Sequence, residues 1–182
     1  LTRKFGVDAV QANRVSRVAC GLFRQMRPGM SEGQAGRLEN KLAWAAQLHE
    51  IGAQISHSDY HKHGAYILGN SDAPGFSLSE LERLGQLVLG HRGKLAKLAI
   101  DYNDVTFVQQ LLALRLAVVL CHARRDPDLK DLVVACNLNA PRRVSISLRA
   151  GWAEAWPQSA HLLREEVNAW QRTPWNLQIL LA

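Results

Sequence analysis

Five of the seven histidines fall between positions 49 and 91, and a glutamate follows the first of them. The dense part, LHEIGAQISHSDYHKHGAYIL over residues 48–68, holds His49, Glu50, His57, His61 and His63. Imidazole and carboxylate are ordinary ligands of divalent metals, so a metal site is the first chemistry to weigh. The spacing argues against it. Only His57 and His61 stand four apart, and the residues between them read as loop rather than helix. A hydrogen-bonded structural role is the simpler expectation for each histidine. A second chemically capable group follows in HRGKLAK, residues 91–97, where His91 precedes Arg92, Lys94 and Lys97. Such a run either ends a solvated helix or grips an anion. Cys20, Cys121 and Cys136 are isolated thiols with no CxxC pair. Neither they nor the serines have a base or an oxyanion signature beside them.

The whole chain leans towards an anionic partner. Its 22 Lys and Arg against 16 Asp and Glu leave a formal charge of +6. That suits nucleic acid, polyphosphate or an acidic lipid surface. No G-x-x-x-x-G-K-[ST] loop and no GxG pattern occurs. Base readout needs aromatic platforms, yet four of the five Trp lie after residue 150, away from the basic run. The Trp residues are expected in the core. With 47% hydrophobic and 21% charged residues the chain has the composition of a globular protein. No apolar run approaches the roughly 18 residues of a membrane span, and LTRKFGVDAV lacks a signal peptide's pattern. Sparse, unpaired thiols point to a reducing compartment, the cytoplasm. The opening at Leu1 without an initiator Met reads as a piece of a longer chain.

The elements that must position these residues fall into two regions. Residues 1–125 read as helical throughout. Ser31 with Gln34, and Ser77 with Glu80, match the S-x-x-E/Q capping box, so helices should start near 32 and 78. After the first, Leu38, Leu42, Ala45, Ala46 and His49 recur at helical spacing; after the second, Leu81, Leu84, Leu87 and Val88 do so. NSDAPG, residues 70–75, must be a loop. Residues 105–121, VTFVQQLLALRLAVVLC, are apolar on nearly every face, which predicts a helix buried at the centre of its domain. Its single charge, Arg115, needs a carboxylate or phosphate beside it. RRDPDLKD then forms a charged connector. Residues 126–182 follow as a small α/β unit: strands at 132–138 and 144–148, a helix opened by Pro157 with Leu162, Leu163, Val167 and Trp170 on one face, and a last strand at 175–181. A unit of that size should pack on the helical domain rather than stand alone.

Four motifs in order carry a resemblance: WAAQLHEIG (44–52), ISHSDYHKHGAYIL (55–68), NSDAPGFS (70–77) and LVLGHRGK (87–94). LHEIG, then a loop, a histidine and GAYIL, is similar to the HD superfamily of phosphohydrolases, where an HD pair ends one helix and a later histidine precedes a G-A-x-x-L helix start. The run from Leu42 to Lys94 more closely resembles the C-terminal region of the exopolyphosphatase and guanosine pentaphosphate phosphohydrolase family. The resemblance implies a mainly α fold, an HD-like multi-helix domain followed by a small α/β unit.

An HD phosphohydrolase holds its metal with His, His-Asp and a distant Asp. Aligned on Arg17-Val18-Ala19, the first position falls on Arg14; the pair survives as His49 and Glu50; the last falls on Val118, after Leu114-Arg115-Leu116-Ala117. Valine ligates nothing and arginine repels a metal. The resemblance therefore implies a degenerate pocket with no catalytic metal, lined by His49, Glu50, His57, His61, His63 and Arg115. Arg14, Arg17, His91, Arg92, Lys94 and Lys97 become candidate phosphate or polyphosphate ligands. The bland alternative is that Arg14 or Arg115 neutralises Glu50 as a structural ion pair. In the family, catalysis is assigned to two preceding actin-like domains, with magnesium or another divalent cation held there, and the parent reaction is release of terminal phosphate from inorganic polyphosphate. The sister activity acts on guanosine pentaphosphate. A homodimer is expected, with no membrane span and no specific nucleic acid. Two readings from other classes compete: an autonomous metal-dependent HD nucleotide phosphohydrolase, and a non-enzymatic nucleic-acid-binding module.

Overall fold

A computed structural model describes residues 2, 4–27, 29–139 and 141–181, with the side chain of residue 181 excepted. Side-chain caps start four of the helices. The Asp8 carboxylate accepts from the amides of Val10 and Gln11 at 3.0 and 3.1 Å and opens α1 (Ala9–Met26). Ser31 accepts from Gln34 N and opens α2 (Glu32–Leu48). Ser77 and Glu80 close a reciprocal capping box at the head of α4 (Leu78–Gly90). Asp104 caps α5 (Val105–Leu120) through Phe107 N at 2.9 Å. The second expected box is therefore complete, and the first is present as its serine half.

As the apolar run predicts, α5 is the central helix: every residue from Phe107 to Ala117 is buried. Its two buried amides find partners in neighbouring elements. Gln109 donates to the Met26 carbonyl at the end of α1, and Gln110 donates to Leu38 O of α2 at 2.7 Å while accepting from Arg83 Nε.

Between α2 and α4 the structure corrects the sequence reading. A 3-10 turn at Ile51–Gln54 follows α2, and α3 (Tyr60–Gly69) begins four residues ahead of Gly64. His61 and His63 therefore lie in the first turns of α3, and only His57 is in the loop. The cause is tertiary. Gly52 brings its backbone against Tyr60 O and Gly64 N so closely that no Cβ fits, and this contact seats the head of α3 on the turn. A second 3-10 turn, Leu95–Lys97, and the short α6 (Trp152–Ala155) are also absent from the sequence reading.

The last part of the chain forms a three-stranded sheet in the order β1 (Val133–Asn137), β2 (Arg142–Leu148), β3 (Trp175–Leu181). β1 and β2 pair antiparallel, with Val134 opposite Ile146. β2 and β3 pair parallel, with Val144 opposite Leu177, and α6 and α7 (Pro157–Trp170) form the crossover. Val134, Val144, Ile146, Leu148 and Leu177 are buried and continue one hydrophobic core that begins at Val15 of α1. Trp175 Nε1 donates to Tyr102 O at 3.1 Å, and Val134 N to Gln25 Oε1 at 2.8 Å, so backbone and side chain also tie the sheet to the helices. The fold is mainly α with a small α/β unit at its C-terminal end. Trp152, Trp170 and Trp175 are core residues, as expected, but Trp44 is not: it is 37% exposed.

Candidate functional site

His49 and His91 occupy equivalent positions, each the residue after the last turn of its helix, α2 and α4. Each donates its Nδ1–H to the carbonyl three residues back, His49 to Ala46 O at 2.6 Å and His91 to Val88 O at 2.5 Å. A carbonyl only accepts, so both imidazoles carry their lone pair on Nε2. The rings meet edge to face with centroids 5.2 Å apart. Tyr60 at the head of α3 donates its hydroxyl to His91 Nε2 at 3.4 Å, and the His61 ring stands 6.3 Å from that of His91. His61 is the histidine that α3 turns into the pocket; His57 is exposed and His63 half-buried beside Gly52.

All three pocket histidines resist protonation. Burial holds His91 well below its ordinary value, with the neighbouring His49 ring adding to it. Burial also lowers His49, and burial together with the Arg92 guanidinium lowers His61. The pocket is thus a set of neutral imidazoles at neutral pH. Among the described residues no group of three or more His, Cys, Asp or Glu is arranged to hold a metal ion. Burial likewise pushes the thiols of Cys20 and Cys121 up to about 11, so both stay protonated and neither is poised as a nucleophile.

The arginines are distributed differently from the sequence reading. Arg14 does not neutralise Glu50: its Nε binds Asp126 at 3.2 Å and its Nη1 binds Gln11 Oε1. Arg17 shares the same Asp126 at 2.5 Å. The cation on Glu50 is Arg124, at 2.9 Å, which holds Asp8 at 2.9 Å through its other nitrogen. The reason is where the chain leaves α5. The turn after Cys121, with Arg124 at φ 54, lays the connector across the start of α1 and the end of α2, and Asp126 meets Arg14 there. Arg115 does not reach Glu50 either. It is buried and forks onto Glu166 of α7 at 2.5 and 3.0 Å, while its Nη1 and Nη2 donate to Gly90 O and Gly93 O at 2.7 and 3.2 Å. Glu166 also accepts from Trp170 Nε1 at 2.8 Å. This is the anion that a charge inside α5 requires. Val118, at the other aligned ligand position, is half-buried against the core.

The Arg115–Glu166 pair fixes the turn that carries the basic run, because it grips the carbonyls of Gly90 and Gly93 on either side of Arg92. Gly93 has φ +82, a left-handed conformation that favours glycine, and a Cβ there would lie 3.5 Å from His61 Nε2. Arg92 lies over the Tyr60 ring at 4.6 Å. Lys94 and Lys97 are exposed. Among the described residues none of the three has a carboxylate within 4.0 Å, unlike Arg14, Arg17, Arg115 and Arg124. A cavity of about 300 Å³ opens between this turn and α7, lined by Lys94, Arg172, Asn168 and Glu165. The structure thus parts the six candidate phosphate ligands into three groups: Arg14 and Arg17 at Asp126, His91 inside the pocket at 2% exposure, and Arg92, Lys94 and Lys97 on one surface turn. Glu166, Arg124 and Tyr60 take part without having been singled out in the sequence.

Comparison with known proteins assigns this architecture to a class. Residues 1–169 match the model of the Ppx/GppA phosphatase, domain III. A guanosine-5'-triphosphate,3'-diphosphate pyrophosphatase of Pseudoalteromonas translucida is 31% identical over 177 residues, covering 96% of this chain and 35% of that protein. The protein of the same name from Pseudoalteromonas atlantica is 34% identical over 174 residues, covering 92% and 33%. The chain belongs to the Ppx/GppA phosphatase family, in its domain III. It spans about a third of the length of these curated relatives.

Proposed function

We propose that this chain is the substrate-holding part of a phosphatase that removes the terminal phosphate from inorganic polyphosphate, the bond being broken in preceding actin-like domains that hold magnesium or another divalent cation. The observation that carries this reading is the turn with Arg92, Lys94 and Lys97, cations without carboxylate partners. Polyphosphate carries about one negative charge per phosphate, and a row of such cations grips it by releasing its counterions, as with a nucleic-acid backbone. Family kinship supplies the catalytic domains and the pairing of two copies. The isolated, protonated thiols fit the cytoplasm, and no helix among the described residues is long and apolar enough to cross a membrane.

A second reading, guanosine pentaphosphate as the substrate, is favoured by the names of both relatives. It uses the same turn, since it too presents a short string of phosphates. The autonomous metal-dependent HD enzyme is disfavoured by Arg14 and Val118 at ligand positions. Calorimetric titration of the chain with polyphosphate and with duplex DNA, at two salt concentrations, tests the proposal. We expect polyphosphate to bind with a log affinity falling by roughly 2 per log unit of salt, about 0.7 for each of three contacts, and DNA to bind more weakly. Equal affinity for both would reduce the turn to generic basicity.

A further inference from the structure

Of the three cations on the basic turn, only Arg92 is seated on an aromatic ring among the described residues: its guanidinium carbon lies 4.6 Å from the centroid of Tyr60. The residue before Arg92 engages the same tyrosine. The Tyr60 hydroxyl donates to His91 Nε2 at 3.4 Å, and the two ring centroids are 5.4 Å apart. His91 and Arg92, neighbours in sequence, thus part around one side chain, the first buried and the second exposed. Each fixed point in this chain of contacts is itself held. His91 donates its Nδ1–H to Val88 O and is 2% exposed, so its Nε2 lone pair is left for the hydroxyl. The backbone of Tyr60 is wedged against Gly52, where a Cβ would stand 2.0 Å from Tyr60 O. Arg115 anchors the carbonyls on either side of Arg92, at Gly90 and Gly93.

From this arrangement we infer that Tyr60 is a positioning residue for the anion site, one that orders Arg92 before a phosphate arrives. The inference rests on the reading of the basic turn given above. A long, exposed arginine ordinarily loses rotamer freedom when it binds, and that loss subtracts from the affinity. Seated on a ring, it has lost part of that freedom beforehand. The ring attracts the cation through its electron-rich face and offers no carboxylate that a phosphate would have to displace. Among the described residues no carboxylate stands within 4.0 Å of Arg92, so its N–H donors are available to phosphate oxygens, which the planar fork takes two at a time. Lys94 and Lys97 are exposed point charges without an aromatic seat among the described residues. They supply attraction, and Arg92 supplies direction.

Calorimetric titration with tripolyphosphate across a double-mutant cycle tells positioning from mere support of the fold. Arg92→Ala should lower the affinity about tenfold. Tyr60→Leu should lower it about two- to fivefold in the otherwise unaltered chain. In the Arg92→Ala background the same change should have no further effect, because Tyr60 acts only through Arg92. Tyr60→Phe keeps the face of the ring and should retain most of the affinity. An equal loss from Tyr60→Leu in both backgrounds would reduce Tyr60 to a structural role. No loss in either, or Tyr60→Phe binding as weakly as Tyr60→Leu, would also overturn the inference. Melting curves show whether each variant is folded. If Tyr60→Leu is not, a ring-fluorinated phenylalanine at position 60 decides, since it keeps the shape of Tyr60→Phe and weakens the face. It should bind tripolyphosphate more weakly than Tyr60→Phe, and equal binding would overturn the inference. The two readings fail separately. Absence of tripolyphosphate binding by the unaltered chain would remove the basic turn as a site and Tyr60's role with it. Binding lost in Lys94→Glu with Lys97→Glu but indifferent to Tyr60→Leu would remove the role of Tyr60 alone.

Discussion

Arg14 and Arg17 on α1 converge on one carboxylate, Asp126, and the nearby Arg124 bridges Glu50 and Asp8. At the other end of the histidine pocket, Arg92, Lys94 and Lys97 stand on a turn where, among the described residues, none of them pairs with a carboxylate within 4.0 Å. Both groups are clusters of cations, yet their electrostatics differ. On the α1 side each charge already has its counterion, so an incoming phosphate must displace a carboxylate before it gains anything. On the α4 side it displaces only water and salt ions. Charge density alone does not make an anion site; charge left uncompensated by the fold does. The buried Arg115–Glu166 pair links the two situations, because it uses a compensated charge to hold the uncompensated ones in place.

The largest effect should come from that link. Arg115→Ala leaves Glu166 buried without its partner and frees the Gly90 and Gly93 carbonyls, and should cost about 3–5 kcal/mol in urea unfolding. Replacing both residues together, Arg115→Met with Glu166→Leu, should recover most of that loss while weakening polyphosphate binding, because the turn is no longer held. A double variant as unstable as the single one would show that the pair is needed for packing as well as for charge.

Next comes the pocket between the two groups. Its histidines have folded pKa values below the ordinary 6.5, so below about pH 6.5 the unfolded chain takes up protons that the folded chain refuses. Stability should therefore fall as the pH drops from 7 through 6 towards the folded values, with burial as the main cause. Melting temperatures measured across that window should decline, and the decline should be shallower in His91→Gln. A flat profile between pH 7 and 5.5 would mean that the rings are hydrated and take up protons in the folded chain as readily as in the unfolded one.

The smallest effect belongs to the exposed partner of the α1 cations. Asp126→Ala removes pairs in which Arg17 and Asp126 are both well exposed, and should change stability by no more than about 1 kcal/mol. The same change sharpens the comparison, since it uncompensates Arg14 and Arg17 and should raise polyphosphate affinity on that side.

Much of this could be read from the residues. The buried α5 followed from its apolar run, the strand–helix–strand order of the tail from alternation and Pro157, and Arg115's need for an anion from its place in an apolar helix. What escaped depended on contacts distant in sequence. Glu166 lies 51 residues from Arg115, and no local pattern marks it as the partner. The start of α3 is set by Gly52 packing on Tyr60 and Gly64, which periodicity does not register. Arg14 was placed in the pocket because a ligand position in the HD pattern falls on it, but the connector after α5 brings Asp126 to it and sends Arg124 to Glu50. Alignment gives a residue's position in the chain; the counterion that decides its chemistry comes from tertiary structure.

The most direct test of the account compares two double variants by calorimetric titration with polyphosphate at two salt concentrations. Lys94→Glu with Lys97→Glu should lower affinity at least about tenfold and flatten the salt dependence, with the melting temperature unchanged, whereas Arg14→Ala with Arg17→Ala should leave both affinity and salt slope as they were. The opposite result, binding lost with Arg14 and Arg17 but kept after charge reversal at Lys94 and Lys97, would contradict the claim that the uncompensated turn holds the phosphate chain.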